Sequence, residues 1–305
     1  MSTTSLFVLS YNICLEAMTH NVNGTLQGGS AEALGKRCTV VDQQTGLTCC
    51  AQNMAHAIDA MPAAMGVSGF SLVGFQEASR ARLLHQGAAS LAPLTMVHSK
   101  PYRSEMVSFY DPSLFTLKKK FLGAFSDHSG DRPFQILVLD DISGSGGVIF
   151  INVHCPHGRS ENTRHPGHQY GSLDTVALDL SAAAATMSLT AQEAQYRIIA
   201  VGDFNEAGWD WGKQVLSAPS WAPLAGAQIP TTIAIKSTPR TCCQPDGRWA
   251  AGPHDTPLQG HPNVRAGNRG GDYIFDSSAP ADAQVPSHYD PVPPKSDHLP
   301  VVAVI

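Results

Sequence analysis

Apolar runs of strand length recur along the whole chain, and several stop at a short polar motif. They fall at residues 6–13, 71–75, 106–110, 134–139, 148–153, 197–201, 273–275 and 301–305. Their β-branched and aromatic content suits a pleated, buried surface. Helical patterning is clearest at 173–195, where Leu173, Val176, Leu180, Ala184 and Met187 follow one another at three- and four-residue steps. Further helices are expected at 50–65 and 76–91. Strands that dominate, with helices interleaved, predict an α+β chain of stacked sheets covered by helices. Segments 21–46 and 238–271, rich in Gly and in Pro and His respectively, read as long surface loops. No internal repeat or linker-like shift divides the chain, so residues 1–305 are expected to form one domain.

Five motifs begin or end these runs: Ser10-Tyr11-Asn12, Gln76-Glu77, His154-Cys155-Pro156-His157, Gly202-Asp203-Phe204-Asn205 and Ser296-Asp297-His298. Polar residues that follow a buried strand sit at the sheet edge, where a rigid scaffold aims them at one point. Hydrolysis of a phosphoester needs a hard cation on the phosphate oxygens, a positioned water and a proton or metal for the leaving oxygen. Mg²⁺ takes oxygen ligands and keeps several waters, so one or two carboxylates and an amide oxygen suffice. Glu77, Asp297 and Asn12 supply that set, and Asp203 and Asn205 add a second polar pair. Each motif alone has a bland reading: Gln-Glu as a solvated helix start, Gly-Asp-Phe-Asn as a turn. Their ordered co-occurrence along the chain is the signal.

That order, from Asn12 to His298, resembles the endonuclease/exonuclease/phosphatase superfamily, the DNase I-like metal hydrolases. The resemblance implies a four-layer α/β sandwich, two mixed sheets face to face and flanked by helices, with an active site at one end. By the same resemblance Asn12 contacts or orients the metal, Glu77 is the principal ligand and Asp297 a further one. The implied ion is Mg²⁺, with Mn²⁺ as its substitute. His154 matches a strand-end histidine near the phosphate, a candidate general acid, and His157 a phosphate-contacting position. Asp203 and Asn205 match the pair that orients the attacking water and binds phosphate. Asp272, in Gly271-Asp272-Tyr273-Ile274, resembles the aspartate that fixes the final histidine, His298. Such a carboxylate selects the imidazole tautomer and raises the basicity of the other nitrogen. Arg132 resembles a substrate-side arginine of the DNase-like branch, and a structural ion pair is its alternative. Arg159, with Arg164, lies in a polar histidine-containing run and is a candidate for substrate phosphate.

These residues lead to a phosphodiesterase or nuclease acting on nucleic acid or nucleotides. A phosphomonoesterase on a small metabolite, or an inactive binding module of the same fold, are the alternatives. Ala200-Val201 ahead of Gly202-Asp203, and Glu206 after Asn205, argue against the inositol polyphosphate branch. Ala78-Ser79 after Glu77 departs from the abasic-site nucleases, and no membrane-facing apolar hairpin favours the sphingomyelinase-like branch. Deadenylase-like, tyrosyl-phosphodiesterase-like and DNase-like readings survive. A formal net charge of −5 gives no support to sequence-blind binding of long duplexes. Lys118-Lys119-Lys120, in an alternating strand, reads as an edge device against aggregation rather than a nucleic-acid patch. His157, His165 and His168 match no zinc spacing. No apolar run is long enough to cross a bilayer, and MSTTSLFVLSYNI lacks a basic n-region and a cleavage site, so no membrane partner is expected. Seven cysteines without regular spacing predict mostly reduced thiols in an intracellular protein.

Overall fold

The structure, a computed structural model, describes residues 5–14, 17–18, 38–98, 106–126, 132–144, 146–155, 173–203, 272–276, 296 and 298–305. Among the described residues, ten strands form two five-stranded sheets. The first holds β1 (Phe7–Asn12), β2 (Leu72–Gln76), β3 (Thr95–His98), β4 (Val107–Tyr110) and β10 (Val301–Val304), in the order β10-β1-β2-β4-β3. The second holds β5 (Phe115–Ala124), β6 (Pro133–Asp141), β7 (Gly147–His154), β8 (Arg197–Asp203) and β9 (Asp272–Asp276), in chain order. Each sheet is mixed. β1 runs parallel to β2, and β7 parallel to β8, while the other pairs are antiparallel.

Because strand side chains alternate faces, each sheet buries two apolar surfaces. Phe7, Leu9 and Tyr11 of β1 pack with Met54, Ile58 and Met61 of helix α1 (Cys49–Ala64), and with Leu84 of the short helix α2 (Ala81–Gly87). Val8 and Leu72 face the other way and join Leu137, Leu139, Phe150 and Val201 between the sheets. Leu180, Ala183 and Ala184 of helix α3 (Leu173–Thr186) cover the second sheet. Helices, sheet, sheet and helix make the four layers that the family resemblance implies.

Local chemistry fixes the element ends. Thr48 caps α1 by accepting from the Ala51 N–H at 3.1 Å, a cap worth about 1 kcal/mol. The helix expected at 76–91 is shorter, because Glu77 takes a left-handed φ of 57° and α2 starts only at Ala81. The helix expected at 173–195 ends at Thr186. Beyond it Ser188 has φ 48°, and a separate 3₁₀ turn follows at Glu193–Gln195. Lys119 fastens this junction, donating to the Ser188 carbonyl at 2.9 Å and pairing with Glu193 at 2.6 Å. The lysine run therefore lies on β5, an edge strand of its sheet, and Lys118 pairs with Asp140 at 3.2 Å.

One pair departs from the expectation of mostly reduced thiols: Cys38 and Cys50 form a disulfide. Spacing did not reveal the pair because the turn between them, closed by the Val41–Thr48 bridge, brings the α1 N-terminus back to Cys38. Among the described residues, no helix is long and apolar enough to cross a membrane.

Candidate active site

The parallel pairs decide where the chemistry collects. β1 and β2 end side by side, with Asn12 opposite Gln76, and β7 and β8 end side by side, with His154 opposite Asp203. β9 and β10 run antiparallel to these neighbours, so their first residues lie at the same edge. Asp272 opens β9 directly opposite Asp203, and His298 precedes β10. Asn12, Glu77 directly after Gln76, His154, Asp203, Asp272 and His298 thus bring six polar side chains from both sheets to one end of the sandwich.

Asp203 sits at the centre, only 2% exposed. Its Oδ2 accepts from Asn12 Nδ2 at 3.0 Å and lies 3.7 Å from His154 Nε2 and 3.9 Å from His298 Nε2. Asn12 Nδ2 also donates to Glu77 Oε1 at 3.2 Å, and the Cys14 N–H donates to Asn12 Oδ1 at 3.0 Å. The amide therefore braces two carboxylates that would otherwise repel each other. Glu77 is the more open of the two, with a side chain 24% exposed, and its Oε1 lies 3.7 Å from His154 Nε2. Glu77 follows β2 in a left-handed conformation, which is costly for a side-chain-bearing residue and clusters at functional sites.

His298 Nδ1 lies 2.8 Å from Asp272 Oδ2, a buried pair. With Nδ1–H donating to the carboxylate, Nε2 is left facing Asp203. Ser296 holds this segment in place: its hydroxyl donates to the Asn12 carbonyl at 2.7 Å and accepts from the His298 N–H at 3.1 Å. Arg132, just ahead of β6, sets its guanidinium against the His154 ring. A permanent positive charge thereby stands at the rim of a site rich in carboxylates.

The structure brings together Asn12, Glu77, Arg132, His154, Asp203, Asp272 and His298. His157, Arg159, Asn205 and Asp297 lie outside the described residues. Ligand atoms of Asp203, Asp272 and His298 all lie within 4.8 Å of one another, a spacing that can hold a metal ion. Glu77 adds a carboxylate oxygen beside them, while Asn12 turns its amide N–H to the carboxylates and its Oδ1 to the Cys14 N–H. A hard divalent cation fits such a donor set, because carboxylate oxygens from Glu77, Asp203 and Asp272 converge there.

Sequence reasoning missed a buried polar layer just below the site. Gln76, Ser108, Gln135 and Asn152 are all fully buried between the sheets and hydrogen-bond to one another in series. A polar residue on the inward face of an apolar strand, such as Asn152 within Gly147–His154, is the signal that could have found it.

No known family's sequence pattern matches the chain, and no curated protein matches it in sequence. Solved structures do match it in three dimensions. An endonuclease/exonuclease/phosphatase from Bacteroides vulgatus superposes with a TM-score of 0.59 at 14% identity, over 99% of this chain and 98% of that one. TDP2 from Caenorhabditis elegans gives 0.55 at 13% identity, over 100% of this chain and 76% of that one. D. rerio TDP2 complexed with single-strand DNA product gives 0.52 at 12% identity, over 99% of both chains. At these identities the likeness is one of fold.

Proposed function

We propose that this chain, which has the endonuclease/exonuclease/phosphatase fold, is a single-domain, divalent-metal-dependent hydrolase of phosphodiester bonds in nucleic acids or nucleotides. One observation carries the reading: Asn12, Glu77, His154, Asp203 and the Asp272–His298 pair converge from six strand ends on one point. Packing alone has no use for such a cluster, because each buried charge is expensive unless paired.

Glu77, braced by Asn12, and Asp297 would hold the cation, Mg²⁺ or Mn²⁺. When bound, it neutralises phosphate oxygens and so makes phosphorus more open to attack. Asp203, with Asn205 two residues on, orients a water and accepts its proton as the water oxygen bonds to phosphorus. His298, its tautomer set by Asp272, presents Nε2 to the phosphate oxygens. His154 gives a proton to the leaving oxygen as its bond to phosphorus breaks, with Arg132 holding negative charge beside it. His157 and Arg159 extend the phosphate contacts along the segment after β7. Nucleic acid as substrate is supported by the D. rerio TDP2 neighbour, whose structure holds single-strand DNA product. The chain's acidic balance gives no support to sequence-blind binding of long duplexes.

The test is hydrolysis of bis-p-nitrophenyl phosphate, p-nitrophenyl phosphate and labelled single- and double-stranded oligonucleotides, with Mg²⁺, Mn²⁺ and EDTA. Diester and single-stranded substrates should be cleaved fastest, EDTA should abolish cleavage, and Glu77→Gln should lower kcat at least about 10²-fold, since an amide is a poor ligand for a hard cation. A Glu77→Gln enzyme with wild-type turnover at limiting Mg²⁺ removes Glu77 as ligand. Preference for the monoester makes the chain a phosphomonoesterase.

A further inference from the structure

We propose that Gln76 and Asn152 are positioning residues, a buried amide crossbeam that sets the spacing between the two halves of the active site. The inference rests on the hydrolase reading above. Asn12 and Glu77 come from the first sheet, and His154, Asp203 and Asp272 from the second. Apolar contact between sheets is non-directional and does not by itself fix their offset. Directional hydrogen bonds do.

The crossbeam lies directly under the site. Gln76 Nε2 donates to Asn152 Oδ1 at 2.8 Å and to the Gly74 carbonyl at 3.2 Å. Asn152 Nδ2 lies within reach of the Val107 carbonyl at 3.1 Å, Ser108 Oγ at 3.2 Å and the Phe75 carbonyl at 3.3 Å. Ser108 Oγ donates to Gln135 Oε1 at 2.5 Å, and Gln135 Nε2 reaches the Met106 and Val97 carbonyls at 3.1 and 3.3 Å. Gly74 makes the room: a Cβ there would sit 3.0 Å from the Asn152 amide carbon and against Val201.

Sequence neighbours turn this bond into a position for the catalytic groups. Gln76 immediately precedes Glu77, and Asn152 lies two residues before His154 on the same face of β7. The Gln76–Asn152 bond therefore ties together the strands that carry the Glu77–His154 pair, 3.7 Å apart. Glu77 also needs enforcement, since its left-handed φ of 57° persists only where the surroundings over-determine it. Gln76 is held through its side chain and through its carbonyl, which accepts from the Ile13 N–H at 3.1 Å.

Gln135 supplies the control, because it belongs to the same buried network yet, among the described residues, bonds to Ser108, Val97 and Met106 and not to the site. Gln76→Met and Asn152→Leu should lower kcat about 10- to 100-fold, the scale of a misplacement of about 1 Å, with KM within threefold. Gln135→Met should lower the melting temperature comparably and leave kcat within twofold. Gln76→Asn, one methylene too short, should lose kcat, and adding Asn152→Gln should regain at least tenfold. Crystal structures of the Gln76 variants should show the Glu77–His154 separation widened by about 1 Å, a readout independent of turnover. If the Gln76 variants lose only stability, as Gln135→Met does, the crossbeam does not position the site. A wild-type protein inert toward every phosphoester overturns the hydrolase reading instead, and the variant structures still decide the geometry.

Discussion

Asp272 and His298 form a buried carboxylate–imidazole pair, and it can be read in two ways. Asp203, Asp272 and His298 are close enough to share a metal ion. They are also arranged as a carboxylate that orients an imidazole, Nδ1 to Oδ2 at 2.8 Å, with Nε2 turned to Asp203. The orienting role is the one proposed, and it makes a quantitative prediction. His298→Ala should lower kcat by roughly 10²–10⁴, the usual scale for a group that exchanges protons or hydrogen bonds in the transition state. Asp272→Asn should lose a large part of the same factor, because the amide can present either end to the ring and stabilises no positive charge. Residues that act as one unit are strongly non-additive. The double variant is therefore expected to be scarcely slower than His298→Ala. Steady-state kcat for two single variants and the double checks it, and defects that multiply would separate the two residues.

At the level of elements, β8 shows how a strand delivers a buried carboxylate to the cluster of strand ends. Gly202 has φ 148°, and a Cβ built there would collide with the Val153 carbonyl on the parallel strand β7. Only glycine lets β8 approach β7 closely enough at this point to place Asp203 opposite His154. Gly202→Ala is accordingly expected to destabilise by on the order of 3 kcal/mol, from strained φ and steric displacement together. Urea unfolding measures this, and an unchanged midpoint would show that β8 has room to spare. The same geometry explains what was legible in the sequence. Long apolar runs that end in Asn12, Gln76, His154 or Asp203 mark both a strand and its polar end, so the core strands and the cluster of polar ends could be read together. β3 is only four residues long and half-buried, with too little pattern to stand out. α2 is delayed, because the residue expected to start a helix, Glu77, is instead turned into the left-handed region. The pairing of Gln76 with Asn152, 76 residues apart, is invisible without the sheets stacked.

On the scale of the whole molecule, one covalent link was not foreseen, and it decides a question that fold and site leave open. Cys38 and Cys50 are both fully buried, and their Cα atoms stand 5.3 Å apart, within the normal range for a disulfide. The bond closes a short loop of sequence separation 12 and fastens the first turn of α1, whose apolar face packs on the first sheet. A loop of this length is worth about 3 kcal/mol at most in the chain-entropy account. Cys50→Ser should therefore lower the melting temperature by roughly 5–10 °C, while kcat changes little, because α1 lies on the far face of the sheet from the inter-sheet site. Peptide mapping of protein alkylated under denaturing conditions without reductant should find Cys38 linked to Cys50. Disulfides of this kind persist in oxidising compartments and are rare where thiol buffers keep cysteines reduced. The same map on protein taken from its native cell therefore tests location as well as chemistry. A linked pair sets aside the expectation of an intracellular thiol protein drawn from cysteine spacing. Both cysteines alkylated would restore it, and α1 would then be held by its Thr48 cap and its apolar face alone.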